Sequence, residues 1–233
     1  MLNKITLFLT LSSFASLVLG VVLANREVIP ATSGLVLFAL GGLIGMIAAI
    51  FSVIVLFKEQ YIVGMAGMMG LMPMIIVLAM LLGGLQHPRI NDVTTNLEDV
   101  PAFSHALTLP ANQDRNMDFP EAFVPHIKTS YGDLVTLEHS LDPETIFLRL
   151  RGSLDKILPL TEVTLADEES GVIEGITTTR AFRWRDDFVI RIRPGADGGT
   201  LIVMRSKSRD GQSDFGANAN RIRKVFEAIQ AMS

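Results

Sequence analysis

The chain has 233 residues, of which 49% are apolar and 19% charged, with a net charge of −4 and no cysteine. The missing thiols exclude disulfides, thiolate metal sites and cysteine catalysis, and the acidic balance argues against nucleic acid as a partner. The apolar excess is concentrated at the amino-terminal end.

Residues 1–85 read as a transmembrane region, with spans at about 5–24, 32–57 and 62–85, each near the roughly 20 residues a helix needs to cross the hydrocarbon core. Charge sits at their ends: Lys4 before the first, Arg26 and Glu27 after it, Lys58 and Glu59 after the second, Arg89 beyond the third. Lys4, Lys58 and the α-amino group fall on one side and Arg26 and Arg89 on the other. This slight basic bias predicts a multi-pass protein of the cell membrane with a cytoplasmic amino terminus. Three crossings then put the remainder outside, in the periplasm of a Gram-negative cell. The first stretch has a second reading as a cleaved signal peptide ending at Val22-Leu23-Ala24, which would not move the carboxy-terminal domain.

No ionisable residue lies inside a span, which disfavours transport. Membrane lipid is the expected surrounding. Small residues recur at helical spacing: Gly41, Gly45, Ala48 and Ser52 share a face of the second span, and Thr6, Thr10, Ser13, Gly20 and Ala24 lie near one face of the first. Such faces admit close helix contact, either among the three spans or with a membrane-protein partner or second copy. Gly64, Gly67, Gly70, Pro73 and five methionines between Met65 and Met74 predict an adaptable, kinked third span.

Residues 86–141 are broken by Pro88, Pro101, Pro110, Pro120 and Pro125 and read as an extended acidic arm. From 142 to 233 the pattern is that of an α+β soluble domain. Asp142 caps a helix that carries Ile146, Phe147, Leu150, Leu154 and Ile157 on one side. Four strands follow near 160–166, 172–184, 188–193 and 200–208, separated by turns such as Glu169-Ser170-Gly171 and Gly195-Ala196-Asp197-Gly198-Gly199. A last helix over about 215–231 bears Phe215, Ala219, Ile222, Phe226 and Ile229. The expectation is a two-layer plan, an antiparallel sheet of about four strands with flanking helices.

Between residues 180 and 224 there are eleven Lys and Arg against five Asp and Glu, in a domain that is acidic elsewhere. Strand alternation puts Arg191 and Arg193 opposite Phe188, Ile190 and Ile192, and Arg205, Lys207 and Arg209 opposite Ile202 and Met204. With Arg221 these predict a basic comb on an exposed sheet face, repulsive unless neutralised. Either the acidic arm, through Asp92, Glu98, Asp99, Asp114 and Asp118, lies across it, or it takes an anionic ligand such as a lipid head group. His87, His105, His126 and His139 show no metal-ligand spacing, so neither a metal nor another cofactor is expected. Gly211 to Gly216 departs from a nucleophile elbow, its second glycine one place late, and no catalytic residues are assigned.

The run Thr178-Thr179-Arg180-Ala181-Phe182-Arg183-Trp184-Arg185-Asp186-Asp187, the longer run from Arg205 through Asp214 to Asn218, and Asn220-Arg221-Ile222 together resemble the family catalogued as domain of unknown function 1499. Ile90 to Thr95 and Pro101-Ala102-Phe103 resemble its opening, so the likeness covers about residues 90–231. The resemblance implies a membrane-tethered bacterial envelope domain and no activity. It also implies that Arg205, Ser206, Ser208, Asp214, Asn218 and Arg221 form one cluster, to which Asn220 is added as a structural member. The functional expectation is a non-catalytic accessory or scaffold protein of the envelope. The alternative is a binding module for an anionic lipid head group or another small anion.

Overall fold

The computed structural model describes residues 1–58, 61–196 and 198–232, so Glu59 and Asp197, read above as loop and turn residues, lie outside the described residues. The chain divides into two compact units: Met1–Gln86 with Arg180–Arg183, and His87–Thr179 with Trp184–Ser233.

In the first unit, helix α1 covers Leu2–Asn25 and α2 covers Ala31–Phe57, while the third apolar stretch forms two helices, α3 (Tyr61–Met68) and α4 (Leu71–Gly84). All three stretches are long and apolar enough to cross a membrane. The buried side of α1 is its small and hydroxyl residues, Thr6, Thr10, Ser13, Ser16, Gly20 and Ala24, which leaves its leucines outward. Ser13 donates to the Gly41 carbonyl at 2.6 Å and Ser16 to that of Leu37 at 2.7 Å, so hydroxyls bind across the helix pair as well as permitting close approach. A Cβ added to Gly45 would lie 2.1 Å from the Gly70 carbonyl oxygen, and one on Gly67 would lie 1.8 Å from Ser52 Oγ. The Gly41, Gly45, Ala48 and Ser52 face is therefore packed against the chain's own helices.

The kink expected of the third span is a break at Met69-Gly70, where Gly70 and Met72 donate three residues back to Gly67 and Met69. Pro73 fits a break at this place, since it lacks the N–H that would bond the Met69 carbonyl in a continuous helix. With the helix broken there, it stands in the first turn of α4, where its missing N–H has no partner to lose. Residues 180–183 complete this unit: Phe182 meets Phe38 edge to face at 5.6 Å, Asn25 donates to the Arg180 carbonyl, and Arg183 pairs with Glu27 at 3.3 Å.

The second unit is α+β, built on one antiparallel sheet. Its strands are β1 (Asp92–Thr94), β2 (Leu137–His139), β3 (Thr161–Asp167), β4 (Val172–Thr178), β5 (Arg185–Pro194) and β6 (Thr200–Ser208). They run in the order β1-β6-β5-β4-β3, with β2 also on β6. The four strands expected from sequence are joined by β1 and β2 from the arm, which share the outer edge of β6 at 205–207 and 200–202. The run expected to continue to residue 184 stops at Thr178, because Thr179 N–H closes a turn on the Trp184 carbonyl.

One sheet face carries Phe188, Ile190, Ile192, Ile202 and Met204, and packs with helix α6 (Pro143–Arg151), α7 (Leu154–Ile157) and α8 (Ala217–Gln230) into the main core. Asp142 caps α6 by accepting from Thr145 N–H at 2.9 Å. The predicted single helix breaks at Gly152-Ser153. The other sheet face is covered by the arm, the first of the two alternatives given above. Three 3-10 turns and helix α5 (Val124–Ser130) give the arm local structure. Its Phe103, Ala106 and Met117 form a second small core with Val189. The plan thus gains a layer: helices, sheet, arm.

Candidate functional site

The arm face is assembled by register. Antiparallel pairing sets Asp92 opposite Lys207 and Thr94 opposite Arg205, so a carboxylate of β1 and two cations of β6 project from the same side. Asp92 is fully buried. Arg205 grips it with two bonds of 3.0 and 2.8 Å, and the Lys207 ammonium adds a third at 2.9 Å. The same guanidinium donates to the arm carbonyls of Pro101 at 3.2 Å and Met117 at 2.7 Å, and stacks over the Phe103 ring at 4.7 Å. An arginine alone offers this fork of donors with two aromatic-compatible faces.

Further fasteners flank it. Asp187 on β5 takes two bonds from Arg209, at 2.8 and 2.6 Å, and one from the Asn112 amide at 3.1 Å. Burial and the Asp187 carboxylate act on Arg209 in opposite senses, and the carboxylate wins, raising its pKa above the ordinary arginine value. Arg191 reaches both the carboxylate and carbonyl of Asp99, at 2.6 and 2.8 Å, with the exposed Arg193 at 3.8 Å from the same carboxylate. Glu174, fully buried on β4, accepts from Ser104 N–H and Oγ–H at 2.6 Å and from Ala106 N–H at 2.8 Å.

Most of the comb is therefore engaged by the arm. Asp92 and Asp99 of the arm pair with it, Asp118 contributes its carbonyl to Lys207 at 3.5 Å, and Glu98 and Asp114 remain at the surface. Arg221 belongs to the opposite face. It projects from α8 to Asp186, Ser206 Oγ and Asn218 Oδ1. Asn218 accepts from Ser206 at 2.8 Å and donates to Ser208 at 3.0 Å and to the Asn91 carbonyl at 3.2 Å. Asp214 accepts from the N–H groups of Gly216 and Asn218 at the start of α8. The structure thus brings together Ser206, Ser208, Asp214, Asn218 and Arg221 but puts Arg205 through the sheet from them. Asn220 points outward to Arg223.

Beside that junction lies a titratable group the sequence did not connect to it. Tyr131 is buried, with its hydroxyl 3.3 Å from His87 Nδ1. Burial, then the negative Asp214, push its pKa up to about 12. Burial also raises Asp214. Gly216 has φ +80, and a Cβ there would meet the His87 ring at 2.5 Å, so the backbone turn and the histidine contact both require glycine. Among the described residues no three His, Asp or Glu side chains gather to hold a metal ion.

The described residues of this unit form recesses, among them the following. A broad one of about 510 Å³ lies along the β2–β6 edge by His139, Gly195 and Thr200. A smaller one of about 200 Å³ is lined by Asn91, Arg115, Asn116, Met117, Asp187, Lys207, Ser208 and Arg209. The model of a family described as protein of unknown function (DUF1499) matches residues 92–229, more than half of the chain. The chain belongs to the DUF1499 family. No curated protein matches it. The DUF1499 match opens at Asp92, the buried carboxylate under Arg205, and runs to the end of α8, so it takes in the sheet, arm and polar junction together. The three apolar stretches stand before it.

Proposed function

We propose that this protein is an integral membrane component of the cell envelope whose DUF1499 domain stands on the extracytoplasmic side and acts as a non-catalytic accessory or scaffold element. The observation that carries this reading is the direction of the polar groups. Arg205, Arg221, Asp92, Asp186, Asp187 and Glu174 pin arm, sheet and α8 to each other, and Lys207 and Arg209 give part of their donors to the same contacts. A domain fastened in this way suits presentation of a fixed surface at a bilayer. The topology follows the basic bias of Lys4 and Lys58 against Arg26 and Arg89.

The test is purification of the full-length protein from native membranes in mild detergent, followed by mass determination of the intact particle and identification of its subunits. A stoichiometric protein companion is expected. A homogeneous single copy carrying none would contradict the scaffold reading.

A further inference from the structure

The smaller recess is lined by more cations than carboxylates. Arg115, Lys207 and Arg209 line it with a single carboxylate, Asp187, while Asp210 pairs with Arg115, and Asp92 with both Lys207 and Arg205, from outside the lining. Asp92 serves two cations at once. The remaining bonds of Arg205 go to neutral carbonyls, which cannot cancel its charge. The excess is also poorly hydrated, since the side chains of Arg205, Lys207 and Arg209 are 3%, 11% and 6% exposed. An uncompensated charge in such a site is costly, and an anion in contact removes that cost.

Unspent donors point to the same conclusion. Lys207 has three N–H groups; one goes to Asp92 and one makes a long 3.5 Å contact to the Asp118 carbonyl. Arg209 gives Nε and Nη2 to Asp187, and Arg115 gives Nε to the Ala111 carbonyl and Nη2 to Asp210. Neither Nη1 has a partner among the described residues. Asp187 also lines the recess, but its carboxylate is occupied by Arg209 and Asn112. At about 200 Å³ the space is below the roughly 300–1,000 Å³ of pockets for drug-sized ligands and suits one compact group.

We propose that this recess binds a single tetrahedral oxyanion of the phosphate type, held by Lys207, Arg209 and Arg115. Charge-assisted bonds from a lysine and two guanidinium groups match three phosphate oxygens. The group is either free phosphate or the terminal phosphate of a lipid head group.

The experiment is calorimetric titration of inorganic phosphate into the full-length protein in zwitterionic nanodiscs. Saturable binding that weakens with added salt is expected. Arg115 is 34% exposed and lies on a surface turn, so Arg115→Gln tests the site without emptying the buried network. It should weaken binding about tenfold, the loss of one hydrogen bond to a charged group. Asp210→Asn frees Arg115 and should tighten binding several-fold. Repeating the titration in nanodiscs that contain phosphatidic acid separates the two sources: competition assigns the site to a head group, and unchanged affinity assigns it to the free ion. Wild type without saturable heat at about 10 mM phosphate, where even a weak millimolar site would fill, overturns the proposal. So does equal affinity in Arg115→Gln, which would mark a diffuse surface attraction.

Discussion

Arg205 is the residue on which the arm hangs. Its guanidinium joins a buried carboxylate, two arm carbonyls and an aromatic ring, so truncation leaves Asp92 with Lys207 alone and two carbonyls without donors. Arg205→Met should cost about 3–5 kcal/mol, read as a lower unfolding midpoint, with protease cleavage appearing within residues 96–123. Adding Asp92→Asn should recover part of that loss, because the unpaired charge is removed with its partner. Tyr131 offers a pH test at the same scale. Its folded pKa is raised from 10.0 to about 12, so its contribution is complete below pH 10 and is lost as pH rises from there through 12. In a Tyr61→Phe background the remaining tyrosine should show its absorbance transition near 12; a transition at 10 would mean the hydroxyl is hydrated. Much of this chemistry was legible in sequence. Alternation marks Arg205 and Lys207 as sharing a face, and the acids of the arm are one of the two partners the sequence offers them. Glu174 was not legible, because a lone glutamate in Val172-Ile173-Glu174-Gly175-Ile176 reads as an outward strand position until the arm that covers it is placed.

At the level of elements, the legible ones were those whose pattern is set locally. The apolar stretches, α6, α8 and the four long strands all follow from their own periodicity. Strands β1 and β2 have three residues each and take their extended form from β6, so no local signal announced them. The basic face shows the same division: alternation tells which side chains share a face and leaves arm or ligand open as its cover, whereas long-range packing puts the arm there. In the third span the break falls at Met69-Gly70, four residues before Pro73 and at a glycine that α2 approaches closely. Gly45→Val should therefore force α2 from the Gly70 carbonyl and cost about 1–3 kcal/mol, measured as a lower melting midpoint in detergent. Gly83→Val is the control, since a Cβ there meets nothing within 4 Å. Equal effects from the two substitutions would remove the close α2–Gly70 contact from the account.

On the scale of the whole molecule, an apolar bundle precedes a polar domain whose charges are largely consumed internally. Hydrocarbon around the first and water around the second is the arrangement that satisfies both, because leucine-rich outer faces and an ion-paired domain have opposite solvation needs. The side of the membrane rests on few charges, namely Lys4 and Lys58 against Arg26 and Arg89. The chain has no cysteine, so a single introduced thiol reports its own location without background. Gln113 lies on an exposed turn of the arm and suits this purpose. The direct measurement is labelling of Gln113→Cys by a membrane-impermeant thiol reagent in intact spheroplasts, with the protein recovered from detergent-extracted membranes. The account predicts full labelling before the cells are opened. Labelling that appears only after permeabilisation would contradict it.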